Sequence, residues 1–152
     1  MPAAAPFDLQ LVLTRCNQAP LLADAAYHLV DYAANNAAAI EARDFLMPAL
    51  FIVEPMYTAA GASDSPYGSV IDPHEYEVGF VTAVQNLSGT LGNAQSQSAQ
   101  ALRALLWQQI VGWSPEAPGF EFYIGRGQLL SFDEQCFFYL DTFVLRRIGR
   151  NL

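Results

Sequence analysis

Between Tyr76 and Asn86 the chain alternates with a period of two: Tyr76, Val78, Phe80, Thr82 and Val84 fall on one side, and Glu77, Gly79, Val81, Ala83 and Gln85 on the other. A period of two with aromatic and β-branched residues is the signature of a strand, and this is the strongest strand signal in the sequence. A strand needs a sheet to join. Downstream, Phe120 to Ile124 reads as a strand, Gly125-Arg126-Gly127 as a turn, Gln128 to Phe132 as a strand, Asp133-Glu134 as a tight turn, and Gln135 to Val144 as a final strand. Hairpins therefore dominate this half. Upstream, Ala49 to Val53, bounded by Pro48 and Pro55, reads as a short buried strand.

Helical spacing interrupts the strands. Leu102, Leu105, Leu106 and Ile110 line one helix face, with Ser96 or Ser98 available to cap its start and Gly112 to end it. From Leu22, the positions Ala25, Ala26, Leu29, Val30 and Ala33 follow the three-and-four spacing of a second helix, which Ala37 to Arg43 resumes after Asn35-Asn36. In Phe7 to Cys16, the set Phe7, Leu9, Leu11 and Leu13 fits a strand, while Leu9, Val12, Leu13 and Cys16 fit a helix; the helix is preferred. The order helix, helix, strand, strand, helix, strand, strand, strand predicts an α+β fold, a mostly antiparallel sheet with helices packed on one face. At 152 residues the chain has the length of one domain. Residues 56–75 are rich in Gly, Ser, Asp and Pro and are expected to form a long loop. Loops of that length are usually functional or disordered. Tyr57, Tyr67, Val70 and Ile71 give this one apolar side chains to bury against a partner.

Charge narrows the partners. Fifteen acidic residues stand against seven basic ones, all arginine, for a formal charge of −8 and no lysine. That balance argues against holding nucleic acid, whose phosphates need a basic face, and against an anionic membrane surface. The longest apolar stretches, Ala49 to Val53 and Cys136 to Leu140, are far too short to span a bilayer. Met1 to Phe7 lacks the basic and apolar regions of a secretory signal, so no export is expected. Cys16 and Cys136 suit buried free thiols better than a disulfide framework. Hydrophobic residues at 53% in so small a chain hint at contacts between subunits.

Catalytic and ligand motifs are missing. There is no GxSxG elbow, and Gly89-Thr90-Leu91-Gly92 is followed by asparagine where a phosphate loop has its Gly-Lys-Ser/Thr. Only two histidines are present, His28 and His74, and the acids Asp72, Glu75 and Glu77 around His74 lack the ligand alternation of a calcium loop. The expectation is a protein that is not an enzyme and has no cofactor and no metal. One asymmetry remains: Arg146, Arg147 and Arg150 form a basic C-terminal tail, residues 145–152, on an acidic body. Such a tail is complementary to the acids of another copy and suits head-to-tail association.

Taken in order, several short motifs resemble the tail terminator, or tail completion, proteins of long-tailed bacteriophages. They are Val53-Glu54-Pro55, Gly79-Phe80-Val81 leading to Asn86-Leu87, the helix Leu102 to Ile110, Gly112-Trp113-Ser114-Pro115, Gly125-Arg126-Gly127-Gln128-Leu129-Leu130, and Asp141-Thr142-Phe143. The family pattern has a Gly-Gly-like turn where this chain reads Gly125-Arg126-Gly127, and the first forty residues match only as helical sequence. The resemblance implies an α+β protomer in a homohexameric ring on the head-proximal end of the tail tube. It would stop tube polymerisation, offer a surface for head-tail joining, and have the tail tube protein and a head-tail connector protein as partners. The expected location is the virion tail, after assembly in the host cytoplasm. DNA would only pass through a lumen whose carboxylates do not hold it. Arg146, Arg147 and Arg150 are then candidates for protomer contact, and Tyr57, Tyr67, Val70 and Ile71 for docking. A head-completion or connector protein of the same virion, or a small-molecule-binding α+β module using the aromatics Phe120 to Phe143, are the alternatives.

Overall fold

The strand centred on Tyr76 to Gln85 lies in the middle of a five-stranded sheet. The computed structural model describes residues 7–18, 20–23, 26–34, 36–41, 47–58, 71–85, 93–116, 121–132 and 136–150. Along the chain these form α1 (Leu9–Cys16), β1 (Leu29–Ala33), α2 (Asn36–Glu41), β2 (Ala49–Thr58), β3 (Ile71–Gln85), α3 (Asn93–Ile110), β4 (Phe122–Phe132) and β5 (Cys136–Arg150). The sheet order is β1-β2-β3-β5-β4. Three of its four ladders are antiparallel, and only β1 pairs with β2 in parallel. The α+β class with a mostly antiparallel sheet is as expected. Among the described residues, no helix is long and apolar enough to cross a membrane.

Alternation along the central strands supplies two apolar faces. Leu50 and Ile52 of β2, Tyr76, Val78 and Phe80 of β3, and Phe143 and Leu145 of β5 meet Val12 and Cys16 of α1 and Leu106 and Ile110 of α3 in the larger core. The rings of Phe80 and Phe143 meet edge to face at 5.3 Å between centroids. Each such side chain taken fully out of water contributes about 1.5–3 kcal/mol. The opposite residues, Phe51, Val81, Ala83, Phe138 and Leu140, form a second buried cluster with Ala39 of α2. Thus α1 and α3 cover one face, and the single turn and a half of α2 packs on the other. Two reciprocal bonds tie α1 to α3: Arg15 Nε donates to the Gln109 carbonyl at 3.0 Å, and Gln109 Nε2 to the Arg15 carbonyl at 2.9 Å.

Several expectations are corrected. The helix predicted from Leu22 to Ala33 is not formed; Leu29–Ala33 is instead the edge strand β1. Alanine at three-and-four spacing fits either structure, and pairing with β2, twenty residues away, decides it. In Phe7 to Cys16 the helix is correct: Asp8 caps it, its carboxylate accepting the Gln10 N–H at 3.0 Å. α3 starts at Asn93, ahead of the serines expected to cap it, and Gly112 follows its end at φ +81°, as expected of a helix stop. Gly125-Arg126-Gly127 is not a turn between two strands. β4 runs through it as one strand, with irregularities between Ile124 and Arg126 and between Leu129 and Ser131. The Asp133-Glu134 turn lies outside the described residues.

The loop and the basic tail both shrink. β2 continues to Thr58 and β3 begins at Ile71, while β5 runs through Arg150. Prolines do not prevent this, because they sit where the sheet is one-sided. β1 ends opposite Val53, before Pro55, and β2 ends opposite Glu75, beyond which Pro73 pairs only with β5.

Candidate functional site

The register brings most of the sequence-predicted positions to one end of the sheet. Tyr57 is opposite Tyr76, and Thr58 is opposite Glu75. On the other side of β3, Glu75 is opposite Arg146, His74 opposite Arg147, and Ile71 opposite Arg150. β4 begins opposite Leu145, so β5 extends past it and the three arginines fall on that extension. Tyr57, Ile71, Arg146, Arg147 and Arg150 therefore share one sheet end, while Tyr67 and Val70 lie outside the described residues. The arginines belong to a strand and not to a tail after the last strand, and an acid of the same chain, Glu75, occupies the cross-strand position of Arg146.

A second arrangement, which sequence reasoning missed, ties α3 to β5 at the position where β4 crosses. Asp141 stands almost fully buried in the middle of β5, and Arg103 of α3 reaches it with two parallel bonds, Nε to Oδ2 at 2.7 Å and Nη2 to Oδ1 at 2.8 Å. The Arg103 guanidinium also lies 5.1 Å from the ring centre of Tyr139 and 6.0 Å from that of Trp107. Hydrogen bonding to Asp141 raises the Arg103 pKa further, against the opposing effect of burial, so the guanidinium keeps its charge. The signal in the sequence was a single acid in the apolar run from Phe137 to Phe143, because a buried carboxylate needs a partner.

This pair explains the glycines. A Cβ on Gly127 would come within 2.7 Å of Arg103 Nη2 and 2.8 Å of Asp141 Oδ1, so a side chain there would have to displace the ion pair. A Cβ on Gly125 would meet Thr142 Oγ1 at 2.7 Å. That hydroxyl accepts the Arg126 N–H at 3.0 Å and donates to the Arg126 carbonyl at 3.3 Å, satisfying the backbone beside the irregularity. The start of β4 is held as firmly. The Gly112 N–H donates to the Phe122 carbonyl at 3.0 Å and the Phe122 N–H to the Trp113 carbonyl at 3.0 Å. Trp113 stacks on Phe122 at 5.8 Å between centroids, and the Arg15 guanidinium lies 5.3 Å from the Trp113 ring centre. Gly112-Trp113, Gly125-Arg126-Gly127 and Asp141-Thr142-Phe143 are thus three parts of one attachment.

Both thiols and Tyr27 lie in the packed interior. Cys16 and Cys136 are buried free thiols. Burial pushes the Cys16 thiol up to about 12, against a smaller lowering by Arg15. Burial likewise raises Tyr27, whose hydroxyl is hydrogen-bonded to Thr82 Oγ1 at 3.1 Å. His28 is exposed, its backbone N–H donating to the Pro48 carbonyl at 2.8 Å. Of the acids near His74, Glu77 faces Arg126 of β4 across 3.7 Å. The attachment packs an exposed edge strand against β5 and the end of α3, and two surfaces stand out: the sheet end carrying the arginines and the outer edge of β4.

Comparison with curated proteins gives no match. The sequence profile of the family described as phage tail terminator protein matches residues 3–151. That span is nearly the whole chain, and it contains every element described above, including the Gly112-Trp113, Gly125-Arg126-Gly127 and Asp141-Thr142-Phe143 attachment; the chain belongs to the phage tail terminator family, whose members are structural proteins of the phage tail.

Proposed function

We propose that the protein caps the head-proximal end of the tail tube as a homohexameric ring, stops addition of tube subunits, and offers the surface on which the head connector joins. The observation that carries this reading is the family profile running from residue 3 to residue 151. The sheet end supports it. There Arg146, Arg147 and Arg150 lie beside Tyr57 and Ile71 at the end of the three central strands, basic and apolar positions grouped on an otherwise acidic protein. In this reading the arginines contact a neighbouring protomer, and residues 57–71, with Tyr57, Tyr67, Val70 and Ile71, dock on the tube or on that neighbour. The net charge of −8 suits a lumen through which DNA passes without being held. The protein acts by occupying a surface, with no reaction and no cofactor.

Gold-labelled antibody against the protein, applied to intact particles under negative stain, tests the location. Label confined to the head-tail junction is the expected result. Label at the distal tip, or repeated along the tube, contradicts the proposal.

A further inference from the structure

The two outer strands of the sheet differ in chemistry. Five large hydrophobic side chains stand exposed among the described residues, and four are on these edges: Tyr123 (56% exposed), Ile124 (46%) and Leu129 (47%) on β4, and Tyr32 (38%) on β1. Soluble proteins usually blunt an open edge with lysine, proline or charge. β4 has no lysine and no proline, and its single charge is the exposed Arg126. β1 carries the opposite sign in the exposed Asp31. Gly127 lies against the Arg103–Asp141 pair and Phe122 stacks on Trp113, which packs β4 against β5 and the end of α3.

We infer that β4 of one copy receives β1 of the next, edge to edge, so that the sheets of neighbouring copies become continuous. Two different edges make a heterologous contact, the kind that closes into a ring. Strand direction fits. β1, β2 and β5 run one way and β3 and β4 the other, so a second copy in the same orientation sets its β1 antiparallel to β4, as in three of the four ladders within the chain. In the single chain the Asp31 carboxylate accepts the Tyr32 N–H at 2.8 Å. The β4 backbone replaces that bond on pairing and leaves the Asp31 carboxylate to Arg126. β1 has five residues, so its ladder fixes the register while Tyr32, Tyr123, Ile124 and Leu129 supply the apolar burial. This inference rests on the ring reading above and names its joint.

Cysteine cross-linking reads the joint directly. Asp31→Cys and Arg126→Cys are introduced into the full chain singly and together, and a short bismaleimide is applied to the purified protein and to assembled tails. The double variant should give a ladder of multimers, a mixture of the two single variants should give dimers only, and neither single variant should cross-link to itself. Dimers from Arg126→Cys alone would set β4 against β4 and overturn the inference. So would the absence of a ladder from the double variant in both settings. A second measurement covers a variant that does not fold. Ile124→Lys, on a side chain already half exposed, should keep the wild-type circular dichroism spectrum while self-association by sedimentation weakens about tenfold or more; undiminished association overturns the pairing. Failure of the cap reading is separate. Tails of normal length without the protein would remove that reading whatever the cross-links show, whereas oligomers that do not cross-link at these positions would remove only the joint.

Discussion

Asp141 and Arg103 make the residue-scale contribution that can be measured most directly. Removing the arginine leaves a carboxylate almost fully buried without its counter-ion, whereas replacing both with apolar residues leaves nothing unpaired. Arg103→Ala is expected to lose about 3–5 kcal/mol in denaturant unfolding, and Arg103→Leu combined with Asp141→Leu much less. Equal losses would remove the pair from the account. Gly127→Ala tests the same contact from above, since its Cβ would press on both charged groups, and it should lower the midpoint of thermal unfolding. Cys16 gives a pH test. With the thiol raised from its ordinary 9.0 to about 12, the native state holds its proton after the unfolded chain has lost it. The stabilisation is therefore complete below about pH 9 and is lost progressively as pH rises toward 12. In the folded protein at pH 8, iodoacetamide should leave Cys16 unmodified by mass spectrometry; rapid alkylation there would contradict its burial.

At the scale of elements, β4 depends on a few attachments to β5 and to the end of α3. Phe122→Ala removes the ring stacked on Trp113 and should cost about 3–5 kcal/mol in denaturant unfolding. Gly112→Ala should cost about 1 kcal/mol by the same measurement, through the left-handed backbone alone, because nothing lies within 4 Å of the added Cβ. These elements were unequally legible in the sequence. β3 and α3 could be read because their apolar periods are long and local. β1 could not, because Ala25, Ala26, Leu29, Val30 and Ala33 satisfy a helix period and the β2 partner that overrides it is distant in sequence. The glycines of β4 signalled a turn, yet their cause is Thr142 and the Arg103–Asp141 pair beneath them, contacts that no local pattern contains. Extension of β2 and β3 into the polar 56–75 segment was hidden by Pro55 and Pro73, whose tolerance depends on where neighbouring strands stop. Of the candidate site, the arginines and Tyr57 and Ile71 were singled out from composition, but that they share one sheet end follows only from the register.

For the whole molecule, one sheet carries three separate surfaces: two edges of opposite charge and an end holding three of the seven arginines. Replacing Arg146, Arg147 and Arg150 together with serine should reduce ring formation by sedimentation and particle yield by plaque titre, each by about tenfold or more. Undiminished assembly would take protomer contact away from that end. In the proposed role the protein ends tube growth. This is tested most directly by the length distribution of tails, under negative stain, in lysates of a phage lacking this gene. Overlong, headless tails, with defined length restored when the protein is supplied, are the expected outcome; tails of normal length in its absence would contradict that role.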